Sequence, residues 1–501
     1  MKNRSVAAQL FSGLLLTVTA LALAACGQVI YRIPQFNFAN RPIPPSLLLQ
    51  RVLASFTANG TSGGLEILDG LRDIRSNVQN TIPAFVISGY SGGNPTTILN
   101  FPEQSLGYVF STTDGSLVAI NYGTETAAGA VATFAPTTPS VAVGTDGARF
   151  VGAQELNGQL VLSASGATYF LNLPNVDKVV VNRGDSVILA MVRNSNALYR
   201  VVKLNANSAP TFPPGAIDCQ PLLLPVYCVV PVPGNYDRPS DVYFSLDGST
   251  AYVLNCGPEC GGTTAGITFL QEGALTTDVI PTVNPLGPGA PSPLSILPVS
   301  NPVAIPGGVT AALSDGSTLY LAGQQLLSDG LFTGNLSTLN LATDTVTGTF
   351  SISDGHHSKM LFADDHTLWI GAQQCANGQR AALAAQQLAA GGATTQAANT
   401  NCLTRVALGA TPAATIVPAV TQGGATPVPV LFPNTNQNAF YYGSLTGLCW
   451  VQNLHKVYTA YGGQIHAFNT ADGSEINNTL ITVQGTVLDV AYMDAVTNDA
   501  N

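Results

Sequence analysis

Charge is scarce in this chain, and that scarcity sets the first bounds. Only 9% of the 501 residues are Asp, Glu, Lys or Arg, against a usual share of about 25%. The 18 basic residues are outnumbered by 28 acidic ones, for a formal charge of −10. A surface of that sign repels phosphate backbones, so no nucleic-acid partner is expected. Catalytic signatures are missing as well. There is no Gly-x-Ser-x-Gly elbow, no His-Glu-x-x-His and no Gly-Lys-Ser/Thr phosphate loop, and EF-hand spacing is absent. No catalytic residue and no cofactor are therefore assigned. Past residue 25 no apolar run reaches the ~18 residues of a membrane helix, so nothing further along is expected to cross a bilayer.

What the chain has instead is apolar residues (46%), 50 Gly and 32 Pro, with polarity supplied by Asn, Gln, Ser and Thr. That balance suits many short strands and turns, not amphipathic helices. The length leaves room for one large repeat fold or two to three domains.

The first 25 residues carry Lys2 and Arg4, then an apolar run over 10–25, then Leu23-Ala24-Ala25-Cys26. A basic start, a short apolar stretch and small residues before a cysteine read as a secretory signal. Leu-Ala-Ala-Cys resembles the lipobox of bacterial lipoproteins. The resemblance implies cleavage before Cys26, a diacylglycerol on its sulfur and a fatty acyl chain such as palmitate on its new amino group. One myristoyl-sized chain gives only about 10⁴ M⁻¹ of membrane affinity, and each added methylene roughly 0.8 kcal/mol. Three chains would hold the protein on a membrane. Gly27 stands where an aspartate would favour the inner membrane, so the resemblance implies the outer membrane, facing periplasm or cell surface. An uncleaved helical anchor is the competing reading, and 16 apolar residues bordered by Gln9 and Ser12 make a poor span. Loss of Lys2 and Arg4 with the signal takes the charge from −10 to −12.

Seven cysteines follow Cys26. Spacing suggests the pairs Cys219–Cys228, Cys256–Cys260 and Cys375–Cys402, which an oxidising compartment would favour as disulfides. Cys449 is left over and is expected in a buried strand. Zinc on Cys256 and Cys260 lacks a second ligand pair.

One module recurs: a short apolar strand, an Asp-Gly turn, a second strand, another turn and a third strand. Its clearest copies are GYVFSTTDGSLVAINYG (107–123), SVAVGTDGARFVGAQELNGQLVLSAS (140–165), DVYFSLDGSTAYVLNCG (241–257) and VTAALSDGSTLYLAG (309–323). Weaker copies cover 178–204, 359–373 and 447–482. Asp-Gly between β-rich runs is a strong hairpin signal, because glycine accepts the positive φ of a tight turn. It is read in register at Asp114-Gly115, Asp146-Gly147, Asp247-Gly248 and Asp315-Gly316. Four-stranded units repeating at such spacing predict a β-propeller. The motif resembles the YVTN-type propeller repeats of bacterial surface and periplasmic proteins.

The expected fold is thus all-β, a seven- or eight-bladed propeller over 47–497. The unit at 52–88 lacks a leading strand and 485–495 supplies a surplus one, so both termini should complete one blade and close the ring. Residues 26–46 read as a lipidated tether. Insertions are expected near 205–239, 281–308, 376–401 (a short Ala/Gln-rich helix) and 408–438, where binding commonly resides.

Candidate metal ligands are few: His356, His357, His366 and Asp364, with Asp354 and Asp365 nearby. They would converge only if strand pairing set Asp354 or His357 against His366. The blander reading makes SDGHHS and ADDH two blade turns whose aspartates cap backbone amides. Asp364 and Asp365 are expected on opposite strand faces. Ser91 in GYSGG lacks a histidine partner for hydrolase chemistry.

Together these readings point to a monomeric, lipid-anchored propeller that binds or scaffolds an unidentified envelope protein. The alternatives are a propeller enzyme or metal- or cofactor-binding protein of lactonase-like or quinoprotein-like type, and a surface adhesin using Tyr441, Tyr442 and Trp450.

Overall fold

Among the described residues, thirty-two short strands, most of them four to nine residues long, make up nearly all the regular structure. In the computed structural model the described residues run from 42 to 496, apart from 74–84, 145–146, 205–211, 214, 280–301, 329, 331, most of 376–400, 410, 419–442, 477–480, 482 and 484. Cys26, the signal segment and most of the tether therefore lie outside the described residues. No helix among the described residues is long and apolar enough to cross a membrane.

The strands form eight sheets. Each is an antiparallel meander in which sequence neighbours pair, and successive sheets pack face to face in a ring. Blade 1 combines Arg51–Thr57 and Gly63–Asp69 with Thr486–Tyr492 from the far end of the chain. Blades 2 to 8 occupy 95–133, 140–172, 176–232, 239–304, 311–351, 356–417 and 445–469. Seven or eight blades were expected; the ring has eight.

Closure is built from both termini, as the sequence implies. Val52 pairs with Tyr492 and Ala54 with Val490, so Thr486–Tyr492 is the innermost strand of blade 1. Buried apolar clusters then fill every blade-to-blade interface. Leu53, Ile98 and Val109 join blades 1 and 2. Phe110, Val143 and Val161 join blades 2 and 3. Leu160, Val179 and Ile188 join blades 3 and 4. The circuit continues through Leu189 and Val253, Ile267 and Leu321, Leu336 and Ile370, and Leu403 and Val457. It ends with Val52 and Tyr458 between blades 1 and 8. Each fully buried Val, Leu or Ile contributes roughly 1.5–3 kcal/mol relative to exposure. A single blade would leave both of these faces wet, so the blades are stable only as a ring.

Three of the four Asp-Gly turns form as expected but not all in one register, and Asp146 lies outside the described residues. Asp247-Gly248 and Asp315-Gly316 join the first and second strands of blades 5 and 6, whereas Asp114-Gly115 joins the second and third strands of blade 2. The 107–123 copy is thus shifted by one strand, because every hairpin in a meander has the same local chemistry. Gly115 sits at φ +70°, and a Cβ there would lie 2.0 Å from the Phe134 carbonyl oxygen.

Three expected insertions prove to contain structure. Val226–Val232 is the fourth strand of blade 4 and pairs with Leu198–Leu204. Val303–Ala304 and Ala413–Val417 are the fourth strands of blades 5 and 7. Ala413–Val417 is half solvated, so its Thr-rich surroundings resemble a loop, whereas Val226–Val232 is buried except at Pro231 and is hidden only by the Pro-rich stretch before it. The Ala/Gln-rich insertion lies almost wholly outside the described residues.

The three expected disulfides are present: Cys219–Cys228, Cys256–Cys260 and Cys375–Cys402. The Cys256–Cys260 bond leaves no free thiolate pair there for zinc. Cys449 is free and buried in Leu445–Val451, where loss of solvation pushes its thiol pKa up.

Candidate functional site

All eight innermost strands run in one direction, so the ring has a leading rim, where they begin, and a trailing rim, where they end. The candidate metal ligands divide between the two. His356 and His357 open the innermost strand of blade 7, His356–Ala363, at the leading rim. His366 lies in the turn beyond that strand's other end, at φ +51°. The register pairs His357 with Ala372 and Ala363 with Thr367, so neither His357 nor Asp354 meets His366. About 3.3 Å per residue keeps the two ends roughly 20 Å apart. Among the described residues no three His, Cys, Asp or Glu side chains converge as a metal site.

Several members of that set have local tasks. Asp354 accepts hydrogen bonds from the Gly334 amide at 2.8 Å and the Thr333 hydroxyl at 3.1 Å. His357 is fully buried, and its Nε2–H donates to the Ser353 carbonyl at 2.8 Å. Burial lowers its pKa to about 4, so the ring is neutral at pH 7. Asp364 and Asp365 do not alternate across a strand. Both lie in the turn after Ala363 and reach blade 8. Asp364 accepts from Trp450 Nε1 and the His455 amide, each at 2.9 Å. Asp365 pairs with His455 Nδ1 at 2.9 Å and accepts from the Thr470 hydroxyl at 2.6 Å. Asp364 caps a turn amide, as the blander reading held, Asp365 takes side-chain groups, and together they clamp two blades. Trp450 is therefore part of an inter-blade contact, while Tyr441 and Tyr442 lie outside the described residues. Ser91 is exposed between blades 1 and 2.

The inner strands carry more charge than the sequence suggested. On blade 1, Asp489 is buried and accepts from the Ile98 amide of blade 2 at 2.9 Å. Lys359 of blade 7 reaches it at 3.3 Å, passing blade 8. Glycine makes that passage possible: a Cβ on Gly447 of blade 8 would lie 2.7 Å from Asp489 Oδ1 and 2.5 Å from the Val490 nitrogen. Burial raises the Asp489 carboxyl pKa, with Lys359 opposing.

At the leading rim, blades 4 to 7 enclose a cavity of about 400 Å³. Its polar lining comes from strand beginnings and hairpin ends: Asp177 and Lys178, Arg193 to Ser195, Arg238 to Asp241, and His356 to Ser358. Lys178 pairs with Asp241 at 2.8 Å. Arg193 holds Glu155, with Asp177 at 3.7 Å. His356 lies 3.7 Å from Glu259, whose carboxylate also takes the Gln324 amide at 2.7 Å. Cys260 borders the cavity, so the Cys256–Cys260 bond fixes its wall. No motif marks this site, because its residues come from four blades and are spread over 180 positions of sequence.

No protein-family model matches the chain, and no curated relative matches it. Similar folds occur among solved structures. The dihydro-heme d1 dehydrogenase NirN is 12% identical at a TM-score of 0.48, covering 91% of this chain and 79% of that one. Hydrazine synthase of Kuenenia stuttgartiensis is 12% identical at 0.42, covering 79% and 99%. The Cps50 β-propeller domain of Myceliophteria thermophila is 10% identical at 0.35, covering 77% and 87%. With TM-scores below 0.5, these likenesses assign no activity, ligand or partner to this chain.

Proposed function

We propose that the chain is a lipid-anchored propeller of a bacterial outer membrane, facing periplasm or cell surface, that binds another envelope protein and acts as its scaffold. The observation that carries this reading is Cys26 directly after Leu23-Ala24-Ala25, behind a basic start and a short apolar run. Three disulfides support it, because such bonds persist in exported proteins. The mechanism is passive. Acyl chains on Cys26 hold a monomeric ring near the membrane, and a rigid scaffold of eight blades presents its rims to the partner.

Metabolic labelling with an alkyne analogue of palmitate tests the anchor. The full chain is expected to be labelled and to sediment with outer membranes, and Cys26→Ser to lose both properties. Label retained by Cys26→Ser would refute the anchor. Crosslinking in intact cells tests the scaffold: a defined protein partner is expected to co-purify stoichiometrically after detergent extraction, and recovery of the propeller alone would count against it.

A further inference from the structure

We propose that the cavity at the leading rim binds a small organic monocarboxylate, and that Arg238 receives the carboxylate. This goes beyond the scaffold reading and does not depend on lipid at Cys26.

The argument begins with how the charges around the cavity are matched. Three cationic side chains, Lys178, Arg193 and Arg238, line it together with two carboxylates, Asp177 and Asp241. Lys178 is taken by Asp241 at 2.8 Å. Arg193 is taken by Glu155, its NH2 nitrogen at 2.8 Å from Oε2, with Asp177 close by. Arg238 differs: its Nε is buried and meets no hydrogen-bond acceptor. Asp237, next to it in sequence, feels the Arg238 charge but spends its own oxygens on other donors. That carboxylate accepts from the Thr263 amide at 2.8 Å, the Thr263 hydroxyl at 2.6 Å and the Thr264 amide at 2.6 Å. A guanidinium in a cavity wall with a buried donor unmet is costly to leave so, and an incoming anion offsets that cost.

The backbone at Arg238 is held by the neighbouring blade. Arg238 sits at φ +56° and Asn194, also in the wall, at φ +57°. The Arg238 amide donates to the Asn196 side-chain oxygen of blade 4 at 3.1 Å.

Charge and volume then choose the ligand class. With two of three cations already paired, the wall has one positive charge to offer, which matches a carboxylate. A phosphate dianion would face Asp177 and Asp241 with too little compensation. About 400 Å³ admits a small organic acid but no folded partner. Asn194, Ser195, Ser240 and Ser358 supply polar contacts for an amide or hydroxyl beside the carboxylate.

Calorimetric titration of the full chain with N-acetylglycine tests this. Saturable binding in the millimolar range is expected, with N-acetylglycinamide, the uncharged counterpart, at least tenfold weaker, and inorganic phosphate weaker as well. Arg238→Gln should lose at least tenfold in affinity while keeping the wild-type melting temperature, and Arg238→Lys should lose less. Arg183→Gln, at an exposed arginine paired with Glu103, should bind as wild type. The proposal is overturned by no saturation up to about 50 mM, by equal binding of the uncharged amide, by tighter binding of phosphate, or by unchanged affinity in a folded Arg238→Gln.

Discussion

Two regions of the ring gather charge, and they treat it in opposite ways. At the closure, on the trailing rim, Arg51 is buried and fully matched. Its guanidinium holds Asp494 at 2.7 Å and Glu125 at 3.0 Å, and Glu125 also takes the Ser46 amide at 2.8 Å. One arginine thereby ties the lead-in segment, both halves of blade 1 and blade 2. At the cavity on the leading rim, Arg238 makes no ion pair and keeps a buried Nε without an acceptor, because Asp237 beside it is hydrogen-bonded to Thr263 and Thr264. Matched buried charge specifies how chain segments meet, whereas an unmatched cation in an open wall awaits something from outside.

Removing matched charge should therefore do the most damage. Arg51→Ala leaves Asp494 and Glu125 buried without their cation and should destabilise by about 3–5 kcal/mol, read as a lower urea midpoint. A midpoint within error of wild type would show that the closure does not depend on this triad.

Lys359→Met should cost less, about 1–2 kcal/mol, because Lys359 is partly exposed and Asp489 can protonate. Its pH dependence carries a definite sign. Burial already raises the folded pKa of Asp489, and losing Lys359 raises it further. A carboxyl with a raised folded pKa adds stability below its unfolded value and gives that up as pH rises through the folded value. The deficit of the variant should thus widen from acidic to neutral pH; a deficit constant across denaturation curves from pH 4 to 8 would refute the assignment.

Arg238→Gln should shift stability by less than about 1 kcal/mol, because no ion pair is lost with it. A large loss would place Arg238 with Arg51, as a structural residue. The smallest effect is expected for His455→Ala at the exposed clamp to Asp365, where solvent screens the pair. Its urea midpoint should match wild type.

How much of this was legible in the chain depends on the range of the contact involved. Strand, Asp-Gly, strand is a local pattern, and Asp247 shows why it is readable. Its carboxylate takes the hydroxyls of Ser245 and Ser249 and the Ser249 amide, bonds that lower its pKa to about 2. The disulfides were equally readable, since each joins cysteines close in sequence. The missing strand at one end and the surplus strand at the other gave away the closure. Outer strands were harder, because Val226–Val232 includes Pro231 and follows a proline-rich stretch. The histidines misled because closeness in sequence is not closeness in space: a single strand carries His357 and His366 to opposite rims. Arg51 with Glu125 and Asp494, like Arg238 with its neighbours in the cavity, left no local trace at all.

The placement of Thr486–Tyr492 at the hub has a consequence for synthesis. This strand is made after the other 31 described strands, yet it must occupy the most central position in blade 1. Until it arrives, Arg51–Thr57 presents a bare row of backbone donors and acceptors toward the hub, an edge that other strands can join. A nascent chain, or one truncated before Thr486, therefore carries an open strand edge beside the hub, and its safety from self-association rests on prompt delivery of Thr486–Tyr492.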